Sequence, residues 1–432
     1  MLSFPESFLA GEREPSESTL LVLIHPEQPP PSADDVQDAL DELGFEIDEL
    51  REPEEPPEQG WALEFVFDPD LGGVQNALGG WMRLWLEPVE DDSYSDLEQR
   101  IDGEDYEDVR RARWQLGLSL NFGAEPLAAF HTQLRLLHAL VPTPALVLDA
   151  DAFAPRPAGW LRDHAQSEVP PSPTSLYSIH AVTGDEGDGV WLHTHGMLRS
   201  GYPDLDLLDV PHSDSSLGAE LLARVAALFL EQSAPAAGDR FEIGKDLDLV
   251  WLTWEEALNH FPDTSVGGSR DREDDTHTGL RGVIVAPASD GYESIRRHLP
   301  TLRDNPLLYI SHEETQRMAL LASERLPRFL SLLTAYANDD AWAFLVKLGY
   351  PVAEGPEGGR EHLWFQVHGL KDGGVDATLT NKPFAIALNP GDRGLHSLDH
   401  LTDWTIVCPF GRFDPDSVLN LERRLLRGAT LN

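Results

Sequence analysis

The chain has 432 residues, of which 75 are acidic and 32 basic, so its formal net charge is -43. This charge repels the phosphates of nucleic acids and anionic membrane surfaces, so we expect neither as a partner. It favours encounter with basic molecules, and a basic protein is the partner class we predict. A hydrophobic content of 41%, with 11 tryptophans, suffices for substantial cores and argues against general disorder.

Cysteine content and hydropathy predict a cytoplasmic protein. Cys408 is the single cysteine, so no disulfide can form within the chain, which is typical of a reducing compartment. The first eleven residues lack the basic and apolar regions of a secretory signal. No apolar run approaches the about 18 residues of a membrane-spanning helix.

Residues 1–165 are predicted to form a mixed α+β domain. Strands are expected where apolar and polar residues alternate, and helices where apolar residues recur with a period near 3.6. These patterns predict strands over residues 20–25, 61–67, 82–89 and 145–149. They predict helices over residues 33–43, 107–120 and 126–141. The acidic runs 52–59 and 90–108 are expected to be solvated loops.

Residues 166–300 are predicted to form a central α+β domain after a stiff, proline-rich linker. Strands are expected over 175–182, 190–197, 205–210 and 247–252, with the second and third forming a hairpin around 199–203. A helix is expected over 217–230, and Thr253 with Glu256 forms a capping-box pattern that begins another.

Residues 301–432 are predicted to contain a helical connection and a C-terminal module. Ser311 with Glu314 begins a helix that Pro327 should break, and a short helix is expected over 341–348. A strand over 361–368 begins the module, and a helix over 417–427 ends the chain's predicted elements. The fold class predicted is multi-domain α+β with mixed or antiparallel sheets, and a small, strongly bent sheet or barrel at the C-terminus.

The predicted hairpin carries the densest group of chemically active side chains. His193 and His195 point to the same face of one strand, since side chains alternate with period two. If the hairpin closes symmetrically around Ser200 and Gly201, His195 lies opposite Asp206. His193, His195 and Asp206 are therefore candidate metal ligands. The alternative is a structural hairpin whose histidines are held by Asp206.

The spacing of these residues resembles the zinc motif of JAMM-type isopeptidases, His-x-His followed by ten residues and an aspartate. That resemblance implies two imidazoles and a carboxylate on zinc, with an open position for an activated water. The chain departs from the motif at Pro203, where the family has serine. An upstream strand glutamate is also not recognisable.

A second group of polar and aromatic residues lies in the C-terminal module, where it is a candidate binding surface: Glu361, His362, Trp364, Asp403 and Trp404. The ordered segments 361–368, 381–383, 391–392 and 401–404 resemble the YegJ-like module, a bacterial domain of unknown function. Segments 176–182, 191–196, 199–201, 204–208 and 306–311 resemble the long domain that precedes this module in some bacterial proteins. The resemblance implies membership of such a family and no activity.

Three functional hypotheses follow from the sequence. The first is a non-catalytic protein-binding or regulatory protein with an acidic surface, for instance an immunity-type protein that masks a basic toxin; it requires no cofactor. The alternative is a metal-dependent hydrolase with zinc at the His-x-His site. The third is an acidic structural protein without a discrete site. No complete catalytic set is recognisable, so the first hypothesis, which is not enzymatic, is preferred.

Overall fold

The structure, a computed structural model, describes residues 9–10, 15–51, 53, 57–71, 73–90, 92–101, 103–184, 189–232, 234–245, 247–261, 266–272, 277, 280–303, 311–352, 360–371, 373–426 and 428. The chain forms two compact units, residues 1–166 with 170–309 and residues 167–169 with 310–432. Three mostly antiparallel sheets with packed helices confirm the predicted multi-domain α+β class. The division at residues 165 and 300 stays a prediction.

The first sheet lies in the N-terminal part of the first unit. Its strands are β1 Glu17–Ile24, β2 Glu49–Arg51, β3 Trp61–Val66, β4 Leu78–Pro88, β5 Trp114–Phe122, β6 Pro144–Asp149 and β7 Ala154–Pro157. They are ordered β2-β3-β4-β5-β1-β6-β7. The accompanying helices are α1 Ala33–Leu43, α2 Gly103–Arg111, α3 Pro126–Leu140 and α4 Ala158–Ala165.

Local sequence determines where helix α1 begins and ends. Ser32 accepts a hydrogen bond from the backbone N–H of Asp35, whose side chain accepts one from the backbone of Ser32, which completes a capping box. Gly44 ends the helix at φ +81°, a conformation that glycine adopts without strain. The helix buries Val36 and Leu40 in the core, and its predicted bounds are confirmed.

The predicted helix over 107–120 is wrong in its second half. Helix α2 ends at Arg111, and residues 114–122 form β5, in which the alternating Leu116, Leu118 and Leu120 are buried. Gly117 lies against the Trp85 ring, and a Cβ there would come within 2.2 Å of that ring. The alternation has the period of a strand, and this close approach requires glycine.

The second sheet completes the first unit. Its strands are β8 Ser178–Thr183, β9 Gly189–His195, β10 Asp204–Pro211, β11 Arg240–Glu242, β12 Asp248–Thr253, β13 Arg281–Ala288 and β14 Gly291–Glu293. They are ordered β11-β12-β13-β10-β9-β8, with β14 paired to β13, and only β10 and β13 pair in parallel among the strands described. The helices are α5 Ser215–Glu231, α6 Trp254–Ala257 and α7 Leu299–Arg303.

A buried arginine links the two sheets of the first unit. Arg199 lies in the turn between β9 and β10, and its guanidinium forms two 2.9 Å hydrogen bonds with the carboxylate of Asp149, at the end of β6. It also donates to the carbonyl of Leu176 and lies over the Phe130 ring. Both charged side chains are fully buried. The pair therefore fixes this turn against the first sheet.

The third sheet forms the second unit. Its strands are β15 Ala343–Pro351, β16 Arg360–Lys371, β17 Gly374–Leu379, β18 Arg393–Ser397, β19 Leu401–Cys408 and β20 Gly411–Phe413. They form an open antiparallel sheet ordered β18-β17-β16-β15-β19-β20, so the barrel alternative is wrong. The helices are α8 His312–Glu324, α9 Leu326–Tyr336 and α10 Val418–Leu426.

The predicted helix over 341–348 is wrong, because β15 occupies this segment and buries the alternating Phe344, Val346 and Leu348. The predicted break at Pro327 is confirmed, since α8 ends at Glu324 and α9 carries this proline in its first turn. Segment 306–310 of the family resemblance lies outside the described residues. Within the described part of the chain, no helix is long and apolar enough to cross a membrane.

Candidate metal centre

Three histidines from two paired strands converge on one face of the second sheet. His180 of β8 lies directly opposite His193 of β9, and His195 follows two positions later on the same face. One nitrogen from each of the three lies within 4.8 Å of the other two. Ring centroids are 5.7 Å apart for His180 and His193, 4.8 Å for His180 and His195, and 4.9 Å for His193 and His195. We call these residues the histidine cluster.

The turn after β9 sets the register of the hairpin. Gly196 has φ +109°, and a Cβ there would lie 2.5 Å from the carbonyl oxygen of Leu176. A short 3-10 turn, Met197–Ser200, follows before β10 begins. The turn is asymmetric, so Asp206 lies opposite His193, and the predicted pairing with His195 is wrong by two residues. A two-residue shift keeps Asp206 on the predicted face.

Asp206 is held by two arginines on that face. Its carboxylate accepts a 3.0 Å hydrogen bond from Arg281 and a 2.7 Å hydrogen bond from Arg272, and all three side chains are at most 2% exposed. Both carboxylate oxygens are therefore engaged. His180, which the sequence analysis did not select, supplies the third clustered ligand atom. Only the pairing of β8 with β9 identifies it.

The histidines are held as neutral imidazoles. Burial first, and then the Arg281 guanidinium, lower the pKa of His193 and of His195 to about 2. Burial also lowers the pKa of His180. A neutral imidazole has a lone pair for a metal ion, whereas an imidazolium has none. The three rings therefore carry no positive charge that would repel a metal ion.

His193 is the most buried member of the cluster. It is 1% exposed, and neither of its ring nitrogens has a hydrogen-bond partner in the described part of the chain. The Trp191 ring lies 4.3 Å from the His193 ring, and the ring of a fourth histidine, His277, lies 5.0 Å away. Buried polar atoms are nearly always hydrogen-bonded, so two such atoms on one side chain indicate a missing ligand.

His195 has a defined proton position. Its Nδ1 lies 3.2 Å from Arg281 Nη2. An arginine can only donate, so His195 accepts at Nδ1 and, as a neutral ring, carries its proton on Nε2. A metal ion at His195 must therefore either replace the Arg281 contact at Nδ1 or displace the proton from Nε2.

Comparison with known families places the histidine cluster in a recognised domain. The N-terminal model of the family described as protein of unknown function DUF4026 matches residues 18–171, and its C-terminal model matches residues 179–285. Together they cover more than half of the chain. The chain belongs to the DUF4026 family. No curated protein and no solved structure matches the chain. All three clustered histidines lie in the C-terminal DUF4026 domain.

The candidate binding residues of the C-terminal module lie outside both DUF4026 domains, and its resemblance to the YegJ-like module stays a prediction. Trp404 is fully buried and donates from its indole to the carbonyl of Ala322, so it is a core residue. Asp403 is 7% exposed, and burial raises its pKa to about 6. Trp404 therefore presents no surface to a partner and Asp403 very little, and their role in binding stays a prediction.

The other three candidates are partly exposed and also have local partners. Glu361 accepts hydrogen bonds from three consecutive backbone N–H groups, residues 384–386. His362 Nδ1 lies 3.1 Å from the hydroxyl of Thr402. Trp364 lies beneath the ammonium group of Lys347, which is 5.7 Å from its ring centroid. All three side chains thus have partners within the module, and their role as a binding surface stays a prediction.

Proposed function

We propose that this DUF4026 protein binds a divalent metal ion through His180, His193 and His195. The observation that carries this proposal is the convergence of three neutral imidazoles, one of which, His193, has two buried nitrogens without a partner among the described residues. A buried polar group without a partner costs about 1–3 kcal/mol. A metal ion bound at one of these nitrogens offsets that cost.

The donor set favours zinc over the hard divalent cations. Imidazole nitrogen suits zinc, copper and nickel, whereas magnesium and calcium require oxygen ligands. Three protein ligands leave a fourth tetrahedral position open for water, as in catalytic zinc sites. At zinc–nitrogen distances of about 2.1 Å, ligand nitrogens lie about 3.4 Å apart. The ligand nitrogens of the cluster lie within 4.8 Å of one another, so bound zinc would require them to approach by up to about 1.4 Å.

The proposed ligand set differs from the set inferred from the sequence, whereas the metal and its chemistry are the same. Asp206 is not a ligand in this set, because Arg272 and Arg281 bind its carboxylate, and Arg281 also contacts His195. His180 replaces Asp206 as the third ligand. A metal-bound water at the open position would give the hydrolase chemistry of the sequence-based alternative, because zinc lowers the pKa of its water to about 7.

Zinc titration of the purified, metal-free chain tests the proposal by calorimetry. We expect one zinc ion per chain. His180→Ala should weaken binding more than about 100-fold, because loss of a residue that only supports a ligand already costs about 10–100-fold. His180 is half-buried, which limits damage to the fold.

His298→Ala is the matched control. His298 is buried in the same unit, but its Nε2 lies 3.0 Å from the carbonyl of Asp248 and it is not a member of the cluster. This variant should bind zinc as the parent does. Absence of zinc binding by the parent, or equal affinities for the parent and His180→Ala, would refute the proposal.

We propose as a second function that the acidic surface binds a basic protein in the cytoplasm, in a non-catalytic or regulatory role. The net charge of -43 supports it, since such a field accelerates encounter with basic partners and is screened by salt. A partner recovered with the chain from its host at about 0.05 M salt should be basic and should be released at about 0.5 M salt. Recovery of only neutral or acidic proteins would contradict this proposal.

A further inference from the structure

Two buried hydrogen-bond donors beside the histidine cluster have no acceptor among the residues that the structure describes. Trp191 Nε1 and Arg272 Nη1 are both inaccessible to solvent and have no hydrogen-bond partner within the described ranges of the chain. The Trp191 residue is 1% exposed and the Arg272 side chain is 1% exposed. An indole N–H and a guanidinium can only donate, so the group that satisfies them must carry acceptors.

These donors are fixed in place next to His193. The guanidinium carbon of Arg272 lies 4.9 Å from the centroid of the Trp191 ring, and that ring lies 4.3 Å from the His193 ring. Arg272 Nε donates to the carbonyl of Gly267, and Arg272 Nη2 donates to Asp206. Nε and Nη2 of this guanidinium thus donate to acceptors of the protein, and Nη1 can donate to a ligand.

The charges around the cluster favour an anion. Arg272 and Arg281 are buried and both bind the carboxylate of Asp206, and the buried Asp204 lies directly opposite Arg281 in the neighbouring strand, so two carboxylates face the two guanidinium groups. A divalent ion on the neutral histidines adds two further positive charges a few ångströms away. Like charges at such distances repel strongly in a buried site, so an anion in the open coordination position lowers the electrostatic energy.

We propose that the open position of the metal binds an oxyanion, and that Trp191 Nε1 and Arg272 Nη1 donate hydrogen bonds to its oxygens. This inference rests on the metal site proposed above and names the ligand class of that site. We assign a phosphate group, because it offers four oxygens, enough acceptors for the metal, the indole and the guanidinium. A substrate of the centre would then be a phosphate ester or another phosphorylated molecule.

The test is a titration of the cobalt-loaded chain, freed of excess metal, with inorganic phosphate, followed by the visible absorption of the bound cobalt. We expect saturable binding with a change in the cobalt spectrum. Trp191→Phe keeps the aromatic ring and removes the donor. It should retain cobalt and weaken phosphate binding about tenfold or more, the effect of losing a hydrogen bond to a charged group.

Trp251→Phe is the control. Trp251 is equally buried in the same sheet, but its indole N–H donates to the carbonyl of Pro235 at 2.7 Å. This variant should lose stability and keep the phosphate affinity of the parent. An equal phosphate affinity in Trp191→Phe and Trp251→Phe would overturn the inference.

The remaining outcomes separate the two proposals. A chain that binds cobalt but responds neither to phosphate nor to acetate overturns the oxyanion inference and leaves the metal site intact. Tighter binding of acetate than of phosphate overturns the phosphate assignment in favour of a carboxylate ligand. A chain that binds no cobalt refutes the metal site itself, whatever the anion.

Discussion

Replacing Arg199 by methionine should strongly destabilise the first unit. Arg199 and Asp149 are both fully buried, and their two 2.9 Å hydrogen bonds join the second sheet to the first. Methionine preserves the apolar stem that packs near Phe130 but leaves Asp149 without its main partner. The direction of the change follows from the cost of burying a carboxylate whose charge is not compensated.

The magnitude can be bounded from the contacts of Asp149. Removal of one partner of a buried ion pair costs about 3–5 kcal/mol. Asp149 retains a hydrogen bond from the backbone N–H of Ala152 and a 3.8 Å contact with Arg156, which offset part of this loss. The lost hydrogen bonds from Arg199 to Leu176 act in the opposite direction. We therefore expect a loss of at least about 3 kcal/mol.

Urea denaturation, followed by far-ultraviolet circular dichroism and tryptophan fluorescence, measures this loss. Arg296→Met is the control, because Arg296 forms a 2.8 Å hydrogen bond with Asp209 in the same unit but its side chain is 43% exposed. An exposed pair contributes at most about 1 kcal/mol. Adding Asp149→Leu to Arg199→Met should restore part of the stability, since the buried charge is then removed. Equal stabilities of the two single variants would show that the buried pair contributes no more than the exposed one.

Three further predictions concern other sites. Burial raises the pKa of Asp403 from 3.8 to about 6. Between these two pH values the folded unit binds a proton that the unfolded chain has released, so the free energy of unfolding falls as pH rises from about 3.8 to about 6. Asp403→Asn should flatten that dependence and gain up to about 3 kcal/mol at pH 7 in urea denaturation; an unchanged pH slope would contradict this. Glu361→Ala should accelerate amide hydrogen exchange at residues 384–386 about tenfold or more, because the three N–H groups lose their acceptor; unchanged protection would show that other contacts hold them. Arg281→Met should tighten zinc binding about tenfold or more in calorimetry, because it removes a buried positive charge and frees Nδ1 of His195. Weaker zinc binding by this variant would show instead that Arg281 positions His195.

Much of the fold follows from local patterns in the sequence. Helix α1 and the hairpin of β9 and β10 carry strong signals, a capping box in one and a turn between alternating segments in the other. The failures at residues 107–120 and 341–348 have one cause. In both segments, apolar residues are frequent enough to match a helical period over a short window. Pairing with neighbouring strands makes these segments strands and buries every second residue.

The candidate site is less accessible to sequence analysis. The shared face of His193 and His195 follows from their spacing alone. The contribution of His180 depends on the register between β8 and β9, which the sequence does not encode locally. The same holds for Asp206, whose arginine partners come from a turn near residue 272 and from the start of β13. Long-range pairing determines which polar groups meet.

Anomalous diffraction at the zinc absorption edge, from crystals of the chain loaded with one equivalent of zinc, tests the metal site most directly. We expect one strong peak within about 2.0–2.3 Å of a ring nitrogen of each of His180, His193 and His195. Full zinc occupancy at surface residues, with no peak among these three rings, would contradict it.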